Sequence, residues 1–454
     1  MAPAQRPQKA REAPVGPRVR PIADHDGVAP DHVEGPLEEL QHVAVDPLPH
    51  LGRRRRAAPA DLEALRREQI AQQVLRARGP ARPRRLADDP YETAKNFGIS
   101  YVGPPHPIAA KAARVAAETV FVDWARDMFP GTYRLEKEAV RMMGSLLGAS
   151  APAGFITTGG TESNMSAVRL ARDLGRKSDP EIVMPETAHF SFRLAAELFG
   201  VRIRYVPVDD ELRPDMSEVD RLITPSTVAL ICSAPEGHLG VLDPVEEFSR
   251  VAERTGLYLH VDAAFGGFIL PFMRDLGYEI PPFDFRLPGV RSMMTDGHKL
   301  GMLPVATGFF IVRDVADLQA LPTEETLIHT LSSTKPGASA AAAWAVLRHL
   351  GRDGYRRVVR DVLDVVRIVR QGVERIDGLR LVVPPLITVV NVTSDTLDVE
   401  RVYQGLRRRG WGTTFGQVRG RPHIRLSIHP HRDRAHAEGF VRALEESARD
   451  ARGG

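Results

Sequence analysis

Leu257-Tyr258-Leu259-His260-Val261-Asp262-Ala263-Ala264 is an apolar stretch with one carboxylate set inside it. The run Leu257–Ala263 has the length and residue types of a strand covered on both faces. An aspartate placed there loses its hydration, so it needs a cation or good donors beside it. Alternation puts His260 and Asp262 on one face, which would suit a pair of metal ligands. No third ligand at helical spacing accompanies them. A strand-end carboxylate bonded to backbone is the plainer alternative.

Working outward, the same short apolar runs recur on both sides. Gly154–Thr157, Glu181–Met184, Val201–Val208 and Thr227–Ser233 read as strands upstream. They alternate with helices over Glu162–Leu174, His189–Phe199, Met216–Ile223 and Val245–Arg254. Val290–Met294 and Thr307–Arg313 continue the strands downstream. This alternation predicts an α/β fold with a mostly parallel sheet covered on both faces. After Ala338 the character changes to helices Ala338–Leu350 and Tyr355–Ile376, strands Leu379–Val383 and Ile387–Val392, helix Val399–Arg409, strand His423–Ile428 and helix Arg434–Ala448. The expected organisation is a Pro/Arg-rich tail over 1–60, an N-terminal helical segment over 61–150, a large domain over 151–345 and a small C-terminal α+β domain over 346–454. Asp61–Arg78, an amphipathic helix, would open the ordered body.

Composition narrows the classes. The 454 residues are 43% hydrophobic and 26% charged, which excludes collagen-like, mucin-like and wholly disordered chains. A single cysteine, Cys232, excludes a disulfide framework and a thiolate-only metal cluster within one chain. The longest apolar runs, such as Val261–Phe272, fall short of the roughly 20 residues a membrane span needs. A soluble, cytoplasmic protein is expected, without a secretory signal. The charges nearly cancel, 61 basic against 58 acidic. Residues 1–60 hold 10 of the 36 prolines and the run Arg53–Arg56. No aromatic residue interleaves with those arginines, so they read as a solvated tail and not a nucleic-acid patch. Only 7 of the basic residues are lysines, so a catalytic lysine has few places to stand.

Three further segments put polar groups at strand ends, where open α/β sheets bind ligands. Thr157-Thr158-Gly159-Gly160-Thr161-Glu162-Ser163-Asn164 joins a strand to a helix. Its glycines let backbone approach an anion, and the first N–H groups of the helix would face it. It lacks the Gly-Lys-Ser/Thr of a Walker loop and the dinucleotide fingerprint; a plain capped helix start is the alternative. Ser292-Met293-Met294-Thr295-Asp296-Gly297-His298-Lys299-Leu300-Gly301 offers Lys299 as a Schiff-base nucleophile, or else as a solvated loop lysine. Pro185-Glu186-Thr187-Ala188-His189-Phe190-Ser191 offers His189, alone no more than a cap or a surface histidine. Together they place an anion cradle, a histidine able to stack, a buried carboxylate and a lysine in one chain order.

That order, carried by Thr158–Asn164, Ala188–Ser191, His260–Gly267 and His298–Lys299, resembles fold-type I pyridoxal-phosphate enzymes. The branch is that of the group II amino-acid decarboxylases and sphingosine-1-phosphate lyases. The resemblance runs from about Phe129 to the C-terminus. It implies that Lys299 forms the Schiff base with pyridoxal 5'-phosphate and that Asp262 pairs with the ring nitrogen. His189 would stack on one ring face and Ala264 pack on the other. Gly159, Gly160 and Thr161 would bind the phosphate with help from His298. A homodimer with a shared site is implied, and Ser332–Gly337, with Ser333 and Thr334, resembles the segment that reaches the phosphate across the interface.

Which bond breaks is read from finer pieces. Cys232–Pro235, Gly240–Pro244 and Phe283–Arg286 look like the sphingosine-1-phosphate lyase side. That lyase has a second lysine six positions after the first for a substrate phosphate, and here the position is Val305. His260–Phe272, Trp344–Tyr355 and Arg425–Pro430 are similar to archaeal-type tyrosine and aspartate decarboxylases, in which an arginine at the Arg425 position holds the substrate α-carboxylate. A strand arginine paired on the surface is the bland alternative for Arg425. Many group II decarboxylases protonate the product carbanion from a loop tyrosine. No tyrosine lies between Lys299 and Tyr355, and His329 is the nearest titratable substitute. The expectation is an L-amino-acid α-decarboxylase. Retro-aldol cleavage of a β-hydroxy amine, an aminotransferase and a non-catalytic interaction protein are the alternatives. Gly237-His238 and Ile328-His329 are candidates for contacting the substrate side chain.

Overall fold

The computed structural model describes residues 95–98, 105–118, 130–209, 212–319, 330–331, 337–418 and 420–453. The tail, Asp61–Arg78, His329, Ser333 and Thr334 lie outside the described residues. In chain order the elements are α1 (Pro107–Glu118), α2 (Pro130–Leu146), β1 (Ala153–Thr157), α3 (Gly160–Gly175), β2 (Glu181–Pro185), α4 (Ser191–Phe199), β3 (Arg202–Val206) and α5 (Met216–Leu222). Then come β4 (Thr227–Ser233), α6 (Val245–Thr255), β5 (Tyr258–Asp262), α7 (Leu270–Asp275), β6 (Val290–Asp296), β7 (Gly308–Val312) and α8 (Val315–Gln319). The last are α9 (Ala338–Arg375), β8 (Arg380–Leu381), β9 (Val389–Thr393), α10 (Val399–Arg408), β10 (Thr414–Val418), β11 (Arg421–Ser427) and α11 (Arg434–Arg452).

Seven strands form one sheet in the order β1-β7-β6-β5-β4-β2-β3. Only β7 runs against its neighbours, pairing antiparallel with both β1 and β6, so the fold is α/β with a mostly parallel sheet. β4 and β5 are buried at every position, as strands covered on both faces must be. Alternation sorts their side chains. Ala229, Ile231 and Tyr258 join the core under α3 and α4, while Leu230, Cys232, Leu259 and Val261 join the core on the other face. His260 and Asp262 share the face of Tyr258 by the same period of two, and so point toward α3.

A second sheet, antiparallel in the order β10-β11-β9-β8, follows α9. The two helices expected over Ala338–Leu350 and Tyr355–Ile376 lie within the span of α9 and are separated by a kink at Gly351, whose φ of 55° and ψ of −167° are not helical. Glycine enters that region without a Cβ penalty, so one helix gives way to the next there. β10 had no signal in the sequence: Thr-Phe-Gly-Gln-Val is a partly exposed edge strand without an apolar run. Among the described residues no helix is long and apolar enough to cross a membrane.

Candidate active site

The carboxyl ends of β1, β4, β5 and β6 open onto a cavity of about 700 Å³, which β11 also lines through Arg425 and Ser427. Asp262 ends β5 there, 5% exposed. Its Oδ1 accepts the Ala264 N–H at 3.0 Å, and its Oδ2 accepts Asn164 Nδ2–H at 2.8 Å. Asn164 reaches β5 from the first turns of α3, and every part of its amide is used. The second Nδ2–H goes to Ser191 Oγ at 2.9 Å, and Oδ1 lies 3.1 Å from His260 Nε2. Only a ring N–H can serve that oxygen, so His260 carries its proton on Nε2, and Nδ1 accepts from Ser292 Oγ at 2.8 Å. Burial pulls the His260 pKa down to about 3, so the ring is neutral. Both of its nitrogens are engaged by protein, so the metal-pair alternative has no open ligand atom on this residue.

The same chain of bonds reaches His189. The helix expected from His189 begins at Ser191, which leaves His189 in the turn above the cavity. Ser191 Oγ accepts from Asn164 and so points its own hydrogen to His189 Nδ1, 2.8 Å away. Burial lowers the His189 pKa, with the Asp262 charge opposing and Lys299 assisting. The neutral ring therefore carries its proton on Nε2.

Gly159 and Gly160 bring backbone close to the β6 loop. Gly159 has φ 137°, a region that favours glycine, and a Cβ there would stand 3.0 Å from His298 Cε1. A Cβ on Gly160 would stand 2.8 Å from Asp296 Oδ2 and 2.7 Å from Met294 Cε. Thr161 lies in the first turn of α3 and lines the cavity. Lys299 projects from the loop after β6, its Nζ 2.9 Å from Asp296 Oδ2 and 4.5 Å from the centre of the Phe265 ring. Asp296 is 2% exposed, and its Oδ1 has no hydrogen-bond partner.

The far wall comes from the β4–α6 loop and β11. Arg425 donates to His238 Nδ1, and His238 stacks toward His189 with ring centres 6.1 Å apart. Buried Glu236 accepts the N–H groups of His238 and Leu239, both at 2.7 Å. Burial pushes its carboxyl up to about 7. Lys299, His189, Asp262, Ala264, Gly159, Gly160, Thr161, His298 and Arg425 thus line one cavity. Asn164 and Asp296 stood in the quoted segments without a role, although a polar residue on a buried helix face and a carboxylate at an apolar strand end were signals for both. Nothing in the sequence set Glu236 apart from a solvated loop acid.

The conserved domain described as pyridoxal-dependent decarboxylase matches residues 106–393. The chain belongs to the pyridoxal-dependent decarboxylase family. An L-aspartate decarboxylase of Thermococcus kodakarensis is 39% identical over 76% of this chain and 90% of its own length. A probable L-tyrosine/L-aspartate decarboxylase of Methanothermobacter thermautotrophicus is 40% identical over 70% of this chain and 88% of its own. Among solved structures, a sphingosine-1-phosphate lyase of Burkholderia pseudomallei superposes with a TM-score of 0.73 at 28% identity, covering 89% of this chain and 93% of that one. Family membership makes the chain a pyridoxal-phosphate-dependent amino-acid carboxy-lyase.

The cavity fits that cofactor on its own geometry. A buried carboxylate ends at the opening with two fixed donors behind it. A backbone cradle that any Cβ would fill lies beside a helix start. A lysine amine also lines the cavity, paired with Asp296 Oδ2, while Asp296 Oδ1 has no partner.

Proposed function

We propose that this carboxy-lyase is an L-amino-acid α-decarboxylase whose substrate is a dicarboxylic L-amino acid, L-aspartate first. The presence of Arg425 in the cavity of Lys299 and Asp262 carries the reading. Lys299 and Arg425 are the two described Lys or Arg side chains in that lining. With Lys299 committed to the cofactor, Arg425 remains for a substrate carboxylate, and the L-aspartate decarboxylase of Thermococcus kodakarensis supports a substrate that has two.

Bound pyridoxal phosphate supplies an electron sink for the pair released by the breaking bond. The residues do the rest. Gly159, Gly160, Thr161 and His298 would hold the phosphate, and Lys299 would hold the cofactor through Nζ. Asp262, oriented by Asn164 and Ala264, would keep a proton on the ring nitrogen. His189 and Ala264, which line the same cavity, would confine the ring. Arg425 departs from the role that the resemblance implies. The α-carboxylate loses its charge as it leaves, so a guanidinium on it would stabilise the ground state more than the transition state. Arg425 therefore holds the side-chain carboxylate, which keeps its charge. His329 remains the proposed proton donor, and Ser333 and Thr334 the proposed phosphate contacts from a second copy.

The working unit is a homodimer in the cytoplasm. Supporting it, Phe190, Leu194 and Leu198 stand four residues apart and exposed, with Phe190 lining the cavity, a face suited to cover by another copy. One buried cysteine suits a reducing compartment.

The test is mass spectrometry of products after incubating the cofactor-loaded protein with pooled L-amino acids. β-Alanine from L-aspartate is the expected product. An aldehyde from a β-hydroxy substrate, or steady amino exchange with a keto acid, would replace the reading by retro-aldol cleavage or transamination. Arg425→Gln should weaken turnover of L-aspartate by ~10- to 100-fold, the loss of a charge-assisted contact, while leaving residual turnover of a neutral amino acid. An equal loss on both would return Arg425 to the α-carboxylate.

A further inference from the structure

We infer that His238 is a positioning residue for Arg425: its Nδ1 takes one guanidinium hydrogen and fixes the head group in the cavity wall, so that the β4–α6 turn sets where a substrate carboxylate lands. The inference rests on the decarboxylase reading of the site only in naming the carboxylate's owner.

An arginine has donors and no acceptor. The contact between Arg425 Nη1 and His238 Nδ1 therefore makes Nδ1 the acceptor and puts the imidazole proton on Nε2. His238 shows its ring to the open cavity, yet protein surrounds it elsewhere. Lost hydration and the Arg425 charge hold its pKa down to about 4, so the ring stays neutral and does not repel the guanidinium.

The turn that carries His238 is built to stay put. Glu236, 2% exposed, takes the N–H groups of His238 and Leu239. Glu236 N–H donates to Val241 O at 3.0 Å, and Gly240 N–H to Glu236 O at 2.8 Å. Asn391 Nδ2–H then donates to Leu239 O at 3.0 Å. Asn391 is the residue of β9 that pairs with Arg425 of β11. One strand pair of the small sheet thus grips the turn through Asn391 and is gripped in return through Arg425. A loop of the large sheet and a strand of the small one are registered at the carboxylate-binding group itself. A side chain as long as arginine has several rotamers to lose on binding, and the histidine removes that cost before substrate arrives.

Succinate, a dicarboxylate without an amine, reads this apart from catalysis. Calorimetric titration of the full-length, cofactor-loaded protein should show binding that Arg425→Gln abolishes. His238→Leu should weaken succinate at least ~10-fold, and His238→Asn, whose side-chain oxygen can stand near the Nδ1 position, should restore it to within ~3-fold. With L-aspartate, His238→Leu should raise KM by a similar factor and leave kcat within ~3-fold. Succinate binding unchanged in His238→Leu would overturn the inference. So would an Asn variant no better than Leu, since that would reduce His238 to packing. Should the wild-type protein bind succinate through Arg425 and His238 yet fail to decarboxylate any dicarboxylic amino acid, the positioning role stands and the substrate reading falls.

Discussion

Replacing Asn164 by leucine tests the centre of the site, because one amide joins three polar groups there, Asp262, Ser191 and His260. Leucine has nearly the same size, so the cavity it leaves is small and the change is one of hydrogen bonding. Asp262 loses the donor at 2.8 Å, a bond to a charged group worth ~1.5–3 kcal/mol. His260, fully buried, is left with an unmet Nε2–H at a cost of ~1–3 kcal/mol. Together these put the loss of unfolding free energy in the apoprotein at ~3–5 kcal/mol, a large share of the ~5–15 kcal/mol a folded protein has. Urea titrations followed by circular dichroism, with and without saturating pyridoxal phosphate, measure it. The holoprotein should lose less than the apoprotein by ~1 kcal/mol or more, because a protonated ring nitrogen gives Asp262 the partner that Asn164 no longer does. A loss under ~1 kcal/mol in the apoprotein would refute the hydrogen-bond argument. A larger loss in the holoprotein would refute the pairing of Asp262 with the cofactor.

Gly160→Ala should lower cofactor affinity at least ~10-fold without unfolding the protein, because its Cβ would press on the Asp296 carboxylate; retained affinity in an absorbance titration would remove the cradle argument. In the apoprotein, burial raises Glu236 to about 7 and Asp243 to about 8. The folded state therefore keeps protons that the unfolded chain has released, and stability falls as pH rises through that range. From pH ~6.5 to ~8 the fall should be on the order of 2–3 kcal/mol, at ~1.4 kcal/mol per group per unit. Glu236→Gln with Asp243→Asn should flatten it, and an unchanged slope would sink the assignment. His260 acts with the opposite sign: its lowered pKa makes the unfolded chain the better proton acceptor below ~6.5, so stability contributed by the neutral ring is lost as pH falls toward about 3. His260→Asn should blunt that acid loss in the same titrations.

The large sheet was legible because its inner strands, β2, β4 and β5 among them, are buried on both faces and so read as largely apolar runs. Thr227–Ser233 came out with its own boundaries, and β5 was trimmed by one residue at each end of Leu257–Ala263. Motif chemistry was legible for a related reason. Asp262 and Lys299 stand at the ends of apolar strands, where a charge is expensive and therefore conspicuous. What could not be read is what depends on distant partners. Asn164 and Asp262 are 98 positions apart, and Arg425 and His238 are 187 apart. No local pattern announces either meeting. β10 failed differently: its pairing with β11 comes from backbone bonds at an edge, and backbone bonds leave no mark on side-chain polarity.

Three acids of the site show why position along the chain underdetermines role. Asp262, Asp296 and Glu236 each follow or end an apolar strand, are each at most 5% exposed and each line the same cavity. Their partners separate them. Asp262 has neutral donors, Asn164 and the Ala264 N–H, and so is left to meet a cation arriving from the cavity. Asp296 already has one, since Lys299 sits against its Oδ2. Glu236 has two backbone N–H groups and enough burial to lift its pKa to about 7, so it can hold its turn with or without a proton. On the proposed function, one carboxylate would thus be reserved for the cofactor ring, one would hold the amine that attaches it, and one would fix the loop that aims Arg425. Exchanging any of them for its amide should therefore fail in a different assay: cofactor affinity for Asp262→Asn, the rate of cofactor attachment for Asp296→Asn, and dicarboxylate affinity for Glu236→Gln. Three variants losing the same property to the same degree would mean that the cavity senses only their summed charge, and the separation of roles by partner would be wrong.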